Sequence, residues 1–126
     1  MYQSTPEITN DTMTAPARNR CVFICSPYAG DTAGNMLKAI RYMRFAADAG
    51  AVPFAPHLLY PQIFDEFDPT ERELGLSLGL VWLNKCDELW VFGRHISSGM
   101  AREIAKAKKR GIPIRTFTEA CKEVFG

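Results

Sequence analysis

Apolar positions fall into short dense runs separated by longer amphipathic stretches. Cys21-Val22-Phe23-Ile24-Cys25 and Glu88-Leu89-Trp90-Val91-Phe92 are nearly continuous apolar runs, the pattern of strands covered on both faces. Val52-Pro53-Phe54-Ala55 is a shorter run whose proline suits an edge position or the first residues of a strand. Ile112-Pro113-Ile114-Arg115 predicts a fourth strand. Between the first two strands the spacing predicts a helix from about Ala33 to Ala49, with Met36, Ile40, Met43 and Ala47 on its buried face and Gly50 ending it. A second helix is expected after Thr70, capped by it with Glu73 three residues on, running through Leu74, Leu78, Val81 and Trp82 to about Lys85. A third opens at Ser97–Glu103, continues to Arg110 and closes at Gly111, and a last short helix is expected over Thr118–Val124.

Strand and helix alternate, which predicts an α/β fold with a parallel sheet and right-handed crossovers. In such sheets the ligand crevice lies outside the carboxyl ends of the strands. The loops at 26–34, 55–69 and 93–98 all leave those ends, so they are expected to share one rim. That would gather Tyr28, Asp31, His57, Asp65 and Ser97 around Glu103, although they are far apart along the chain. The stretch from Pro56 to Pro69 carries three prolines and is long for a compact domain, so it reads as a functional loop or lid. Residues 1–18 are rich in Ser, Thr, Pro and Asn without periodicity and are expected to be a disordered tail, leaving 19–126 as a single domain.

Composition narrows the function. The 126 residues are 47% hydrophobic and 23% charged, with a formal net charge of +1. No dominant basic surface exists to release counterions, so nucleic acid is not an expected partner. Lys106, Lys108, Lys109 and Arg110 read as a solvated helix face with cations near its C-terminus. No apolar run approaches the roughly 20 residues of a membrane helix, and the polar N-terminus lacks a signal core, so no membrane association and a cytoplasmic location are expected. Cys21, Cys25, Cys86 and Cys121 have no metal-type spacing and read as small buried residues. No metal and no cofactor are called for.

The chemistry concentrates in Ser97-Ser98-Gly99-Met100-Ala101-Arg102-Glu103. A strand that ends in a small-residue loop and feeds a helix presents backbone N–H groups and serine hydroxyls at the helix N-terminus, a ready anion site. Glu103 lies about one and a half turns in, and helical side chains lean back towards the N-terminus. It is either a solvated helix residue or a nucleophile for the anomeric carbon of an N-glycoside. His57 is either a loop residue or a ligand contact. Gly30 and Gly34 form only a weak G-x-x-x-G, and no nucleotide fingerprint or serine-hydrolase elbow is present. The catalytic candidates are Glu103 and Tyr28. The candidate substrate contacts are Ser26, Asp31, His57, Ser97, Ser98, Gly99 and Met100, with Asp65 or Asp68 a possible acid from the long loop.

Phe23-Ile24-Cys25-Ser26-Pro27-Tyr28, Pro56-His57, Glu71-Arg72-Glu73-Leu74-Gly75, the Cys86–Gly93 stretch and Ser97-x-Gly99-Met100-x-x-Glu103 together resemble the nucleoside 2-deoxyribosyltransferase superfamily over roughly residues 20 to 117. The likeness is nearest to its small phage and bacterial branch. It implies a flavodoxin/Rossmann-like three-layer sandwich with a four- to five-stranded parallel sheet, and a glutamate nucleophile at Glu103. It also implies a polar residue six positions earlier that touches the sugar or its phosphate. That residue is Ser97 here, as in the branch that hydrolyses deoxynucleoside 5′-monophosphates. A homodimer or larger assembly and a small-molecule nucleoside or nucleotide partner are implied too. Two positions depart from the pattern: the assisting tyrosine of strand 1 falls on Phe23, and the sugar-binding aspartate of the second helix falls on Gly79. Asp87, at the opposite end of its strand, reads as structural. Because of these departures, a non-catalytic nucleotide-binding or sensing module is the alternative to an enzyme.

Overall fold

The computed structural model describes residues 20–125; the expected tail, residues 1–18, lies outside them. The described chain forms β1 (Cys21–Cys25), α1 (Thr32–Asp48), β2 (Val52–Phe54), two 3₁₀ turns (Pro56–Leu58 and Tyr60–Gln62), α2 (Pro69–Asn84), β3 (Glu88–Phe92), α3 (Ser98–Arg110), β4 (Ile114–Phe117) and β5 (Glu123–Val124). The sheet order is β2-β1-β3-β4-β5, with β1–β4 mutually parallel and β5 antiparallel to β4. β2 is an edge strand, so Pro53 costs no ladder bond on its open side.

Alternate residues of the central strands face opposite layers. Val22, Ile24, Trp90, Phe92 and Phe117 pack with Tyr42 and Ala46 of α1, whereas Phe23, Cys25, Leu89 and Val91 pack with Leu83 of α2 and Met100 and Ala107 of α3. The result is the expected three-layer α/β sandwich. The buried stripes of α1 and α2, however, differ from those the sequence suggests. Ala39, Tyr42 and Ala46 face the sheet in α1, while Ile40 is 53% exposed. Two alanines let the helix approach the sheet closely, and the room between them goes to Tyr42, stacked on Phe92 with centroids 4.2 Å apart. In α2 the buried residues are Gly79 and Leu83, and Leu74 and Val81 are exposed.

Three boundaries are corrected. The cap of α2 is Asp68, whose carboxylate accepts from the Thr70 N–H at 2.9 Å with Pro69 at the first helical position; Thr70 is not the cap. β4 begins two residues later than expected, because Gly111 (φ 72°) ends α3 and the Ile112 N–H still closes on Ala107 O. No final helix forms over Thr118–Val124. The Thr118 hydroxyl accepts from the N–H groups of Ala120 and Lys122, Cys121 takes a left-handed φ of 63°, and Arg115 clamps Glu123 through two 2.7 Å bonds. A side chain that satisfies turn N–H groups competes with helix formation, and the clamp fixes the returning segment as β5.

No helix among the described residues is long and apolar enough to cross a membrane.

Candidate active site

The chain goes from β1 outward to β2, then back across to β3 on the other side of β1. The two halves of the sheet therefore diverge between β1 and β3, where such folds open a crevice. A cavity of about 450 Å³ lies there, walled by the segment after β1, the lid between β2 and α2, the inner face of α2, and the start of α3. Ser26, Tyr28, His57, Ser97, Ser98, Gly99, Met100 and Glu103 all line it. Asp31 does not: its side chain accepts from the Gly34 N–H and caps α1.

Ser97 caps α3, its Oγ accepting from the Met100 N–H at 3.3 Å. The first turn of a helix has N–H groups without intrahelical partners, and at Ser98 and Gly99 they belong to residues that line the cavity. Replacing Ser97 with Ala should cost about 1 kcal/mol of stability; a chemical denaturation midpoint unchanged from the parent would show that the cap bond contributes nothing.

Glu103 is part-buried on the same helix, one and a half turns deeper. Burial pushes its carboxyl up to about 7, opposed by a hydrogen bond from the Cys25 thiol and by the Arg102 charge. Cys25, wholly buried at the end of β1, is itself held well above the ordinary thiol range by burial and then by Glu103. Its thiol donates to the Met100 carbonyl of α3 at 3.9 Å. Arg102 points away, bound in two parallel bonds of 3.1 and 2.9 Å to Glu73 of α2. The pair ties together the two helices that wall the cavity.

The lid packs through a feature that the sequence reading missed. Gly75 and Gly79, one turn apart on α2, present a smooth face to it. A Cβ at Gly79 would lie 3.3 Å from the Pro56 ring, and one at Gly75 would lie 3.5 Å from Tyr60 Cβ. Tyr60 OH accepts from the Trp82 indole N–H at 2.7 Å, pinning the lid to α2. The lid then turns Tyr60, Phe64 and Glu66 to the cavity, which Glu71 and Arg72 of α2 also line. The carboxylates of this region that line the cavity are therefore Glu66 and Glu71, not Asp65 or Asp68, and Glu71 accepts from the Asp65 N–H at 2.7 Å. Asp65 accepts from the Phe67 N–H, and Asp68 caps α2. Tyr28 OH donates to Glu66 at 3.1 Å, linking the loop after β1 to the lid; burial and Glu66 both raise its phenol from the ordinary value. A signal for Glu66 was present only as a charged residue on a loop already marked as a lid, whereas Arg72 lies in the Glu71-Arg72-Glu73-Leu74-Gly75 stretch of α2.

The two departures from the superfamily pattern have structural reasons. Phe23 is wholly buried against Phe54, in the core between the sheet and α2. Gly79 sits in the cavity wall with Pro56 against it. Asp87 lies at the far end of the sheet, where its carboxylate accepts from the Cys21 N–H at 2.7 Å.

Residues 20–117 match the family described as a domain of unknown function (DUF7768). The chain belongs to that family. Among solved structures, this DUF7768 member is similar to a 2-deoxyribosyltransferase from the psychrotolerant bacterium Bacillus psychrosaccharolyticus. The TM-score is 0.60 and the identity 18%, over 84% of this chain and 77% of that one. It is also similar to a 2-deoxyribosyltransferase from Leishmania mexicana, with a TM-score of 0.53 and 15% identity over 79% of this chain and 64% of that one. The DUF7768 chain thus spans less than two thirds of the Leishmania protein's length. No curated protein matches it. The relationship is distant and is one of fold: a mostly parallel five-stranded sheet flanked by helices.

Proposed function

We propose that this protein cleaves or transfers the N-glycosidic bond of a nucleoside or nucleoside 5′-monophosphate, with Glu103 as nucleophile. The observation that carries the reading is the placement of a part-buried carboxylate and an open helix N-terminus in one cavity at the switch point of the sheet. A glycosyl phosphate held by Ser97, Ser98 and the first N–H groups of α3, with Arg72 at the rim, would bring its anomeric carbon towards Glu103. The carboxylate forms a bond to that carbon, and the C–N bond breaks with its electron pair on the base, which takes up a proton. Water, or a second base, then resolves the glycosyl ester and regenerates the carboxylate. We assign the movement of that proton to Tyr28, a reading supported by its hydrogen bond to Glu66 in the cavity wall.

A second reading is favoured by a specific pair of observations. Phe23 offers no hydroxyl and Gly79 no carboxylate, so the site retains its anion-binding half with fewer of its reacting groups. On that reading the protein binds a nucleotide without turning it over. Chromatography for free base, with pooled nucleosides and their 5′-monophosphates and with and without an acceptor base, separates the two. Base release or exchange supports the enzyme, and its absence from every pool member leaves the binding module. We extend the first reading to a homodimer or larger assembly, supported by the exposed apolar side chains Leu74, Val81 and Trp82 of α2. Sedimentation should give at least twice the chain mass of 14.1 kDa, and a monomer at assay concentration would remove the extension.

A further inference from the structure

Ser26 is buried, and its hydroxyl lies 3.0 Å from His57 Nε2. Ser26 directly follows β1 and His57 lies at the start of the lid, so the pair joins the carboxyl end of an interior strand to the lid at the cavity wall. A serine–histidine contact invites a nucleophilic reading, but the surroundings oppose it. Burial holds the His57 ring down at about 4, so it resists the charge that a general base must take up. The residue after Ser26 is Pro27, which has no N–H to offer an oxyanion.

What the pair does supply is a neutral, fixed imidazole. A neutral ring carries one donor and one acceptor nitrogen. Nε2 is engaged by Ser26, and Nδ1 has no partner among the described residues. The walls around it are aromatic: Tyr28 meets the His57 ring edge-on with centroids 6.3 Å apart, and Tyr60 and Phe64 stack on the lid at 6.2 Å. Fixed neutral hydrogen-bonding groups between aromatic surfaces suit a flat, uncharged heterocycle better than a phosphate or a sugar. Arg72 and the start of α3, which also line the cavity, are suited to the anion instead.

We propose that His57, clamped by Ser26, reads the leaving base: its Nδ1 hydrogen-bonds the edge of a purine or pyrimidine stacked among Tyr28, Tyr60 and Phe64. This rests on the nucleoside reading of the site and adds to it the residue that selects the base. Base selection here is a matter of binding, so its test needs no turnover.

Calorimetric titration of the full chain with free adenine, thymine and 2-deoxyribose 5-phosphate, on the parent, His57→Phe and Ser26→Ala, tests it. At least one base should bind the parent. Loss of the buried hydrogen bond in His57→Phe should weaken that base about tenfold or more, with a smaller loss in Ser26→Ala. Sugar phosphate affinity should stay within about twofold. Unchanged base affinity in His57→Phe, equal loss of both probe classes, or no base binding to the parent would each overturn the assignment. Should His57→Phe fail to fold, ¹⁵N spectra of the parent imidazole decide. The Nδ1 resonance should move on adding the base and stay in place with the sugar phosphate; a fixed Nδ1 overturns the proposal. Base binding without any base release would refute the catalytic reading and leave this one standing.

Discussion

Glu103→Gln is expected to abolish base release, by at least ~10³-fold in kcat, while making the protein more stable at alkaline pH. The first effect follows because an amide cannot form the glycosyl ester, so no part of the two-step route remains. The second follows from linkage. Burial raises the folded-state value of Glu103 from 4.5 to about 7. The folded protein therefore holds a proton that the unfolded chain has released, and stability falls as pH rises from about 4.5 to about 7. Above pH 7 the whole penalty is present, on the order of 3 kcal/mol for a shift of this size. Glutamine does not ionise, so the variant should gain up to about that amount at pH 8 and nothing below pH 4.5. Urea unfolding at pH 4 and pH 8 measures the difference. A variant that loses activity with no pH-dependent gain would place Glu103 in solvent, contrary to its position in the cavity. The parent's rate should rise with pH through about 7, since the carboxylate must be ionised to attack. A rate flat from pH 5 to pH 9 would remove Glu103 as the nucleophile.

The same residue shows how far the sequence carries the site. Ser97 and Glu103 were legible because a strand, a small-residue loop and a helix follow one another without interruption, so their relation is set locally. The gathering of Ser26, Tyr28 and His57 was legible for a different reason: parallel topology puts every strand's carboxyl end on one rim. Asp31 failed this argument because a carboxylate at the start of a helix has a local use, and the Gly34 N–H takes it. Asp65 and Asp68 failed likewise, each satisfied by N–H groups within two residues. Glu66 faces the cavity because the lid folds back on Gly75 and Gly79, a contact that spans α2 and both 3₁₀ turns. Nothing in the local pattern of the lid encodes that fold-back. The buried stripe of α1 was misjudged for a packing reason: Ile40 scored as core by hydrophobicity, whereas Ala39 and Ala46 were chosen by how closely the helix must approach the sheet.

That close approach makes Phe92 the position where truncation should do most damage to the fold. Its ring is wholly buried at the carboxyl end of β3, between Tyr42 at 4.2 Å and Phe117 at 4.9 Å, with interplanar angles of 12° and 16°. Phe45 meets it edge-on from α1. Phe92→Ala removes the middle of this stack, and the neighbouring Ala39 and Ala46 are too small to fill the gap. The cost should be about 3–5 kcal/mol, a large share of the ~5–15 kcal/mol that holds a domain of this size together. The damage should reach the site as well. The chain leaves β3 at Phe92, is held once more where the Gly93 N–H meets Phe117 O at 2.9 Å, and arrives at the Ser97 cap four residues later. A loosened stack frees that segment, so ligand affinity should fall along with the urea midpoint. Phe92→Leu, which keeps most of the volume, should cost less than half as much. If Phe92→Ala moved the midpoint by less than the equivalent of about 1 kcal/mol at constant m-value, the α1 layer would contribute little to the core. The stack would then be removed as the support of the Ser97 loop.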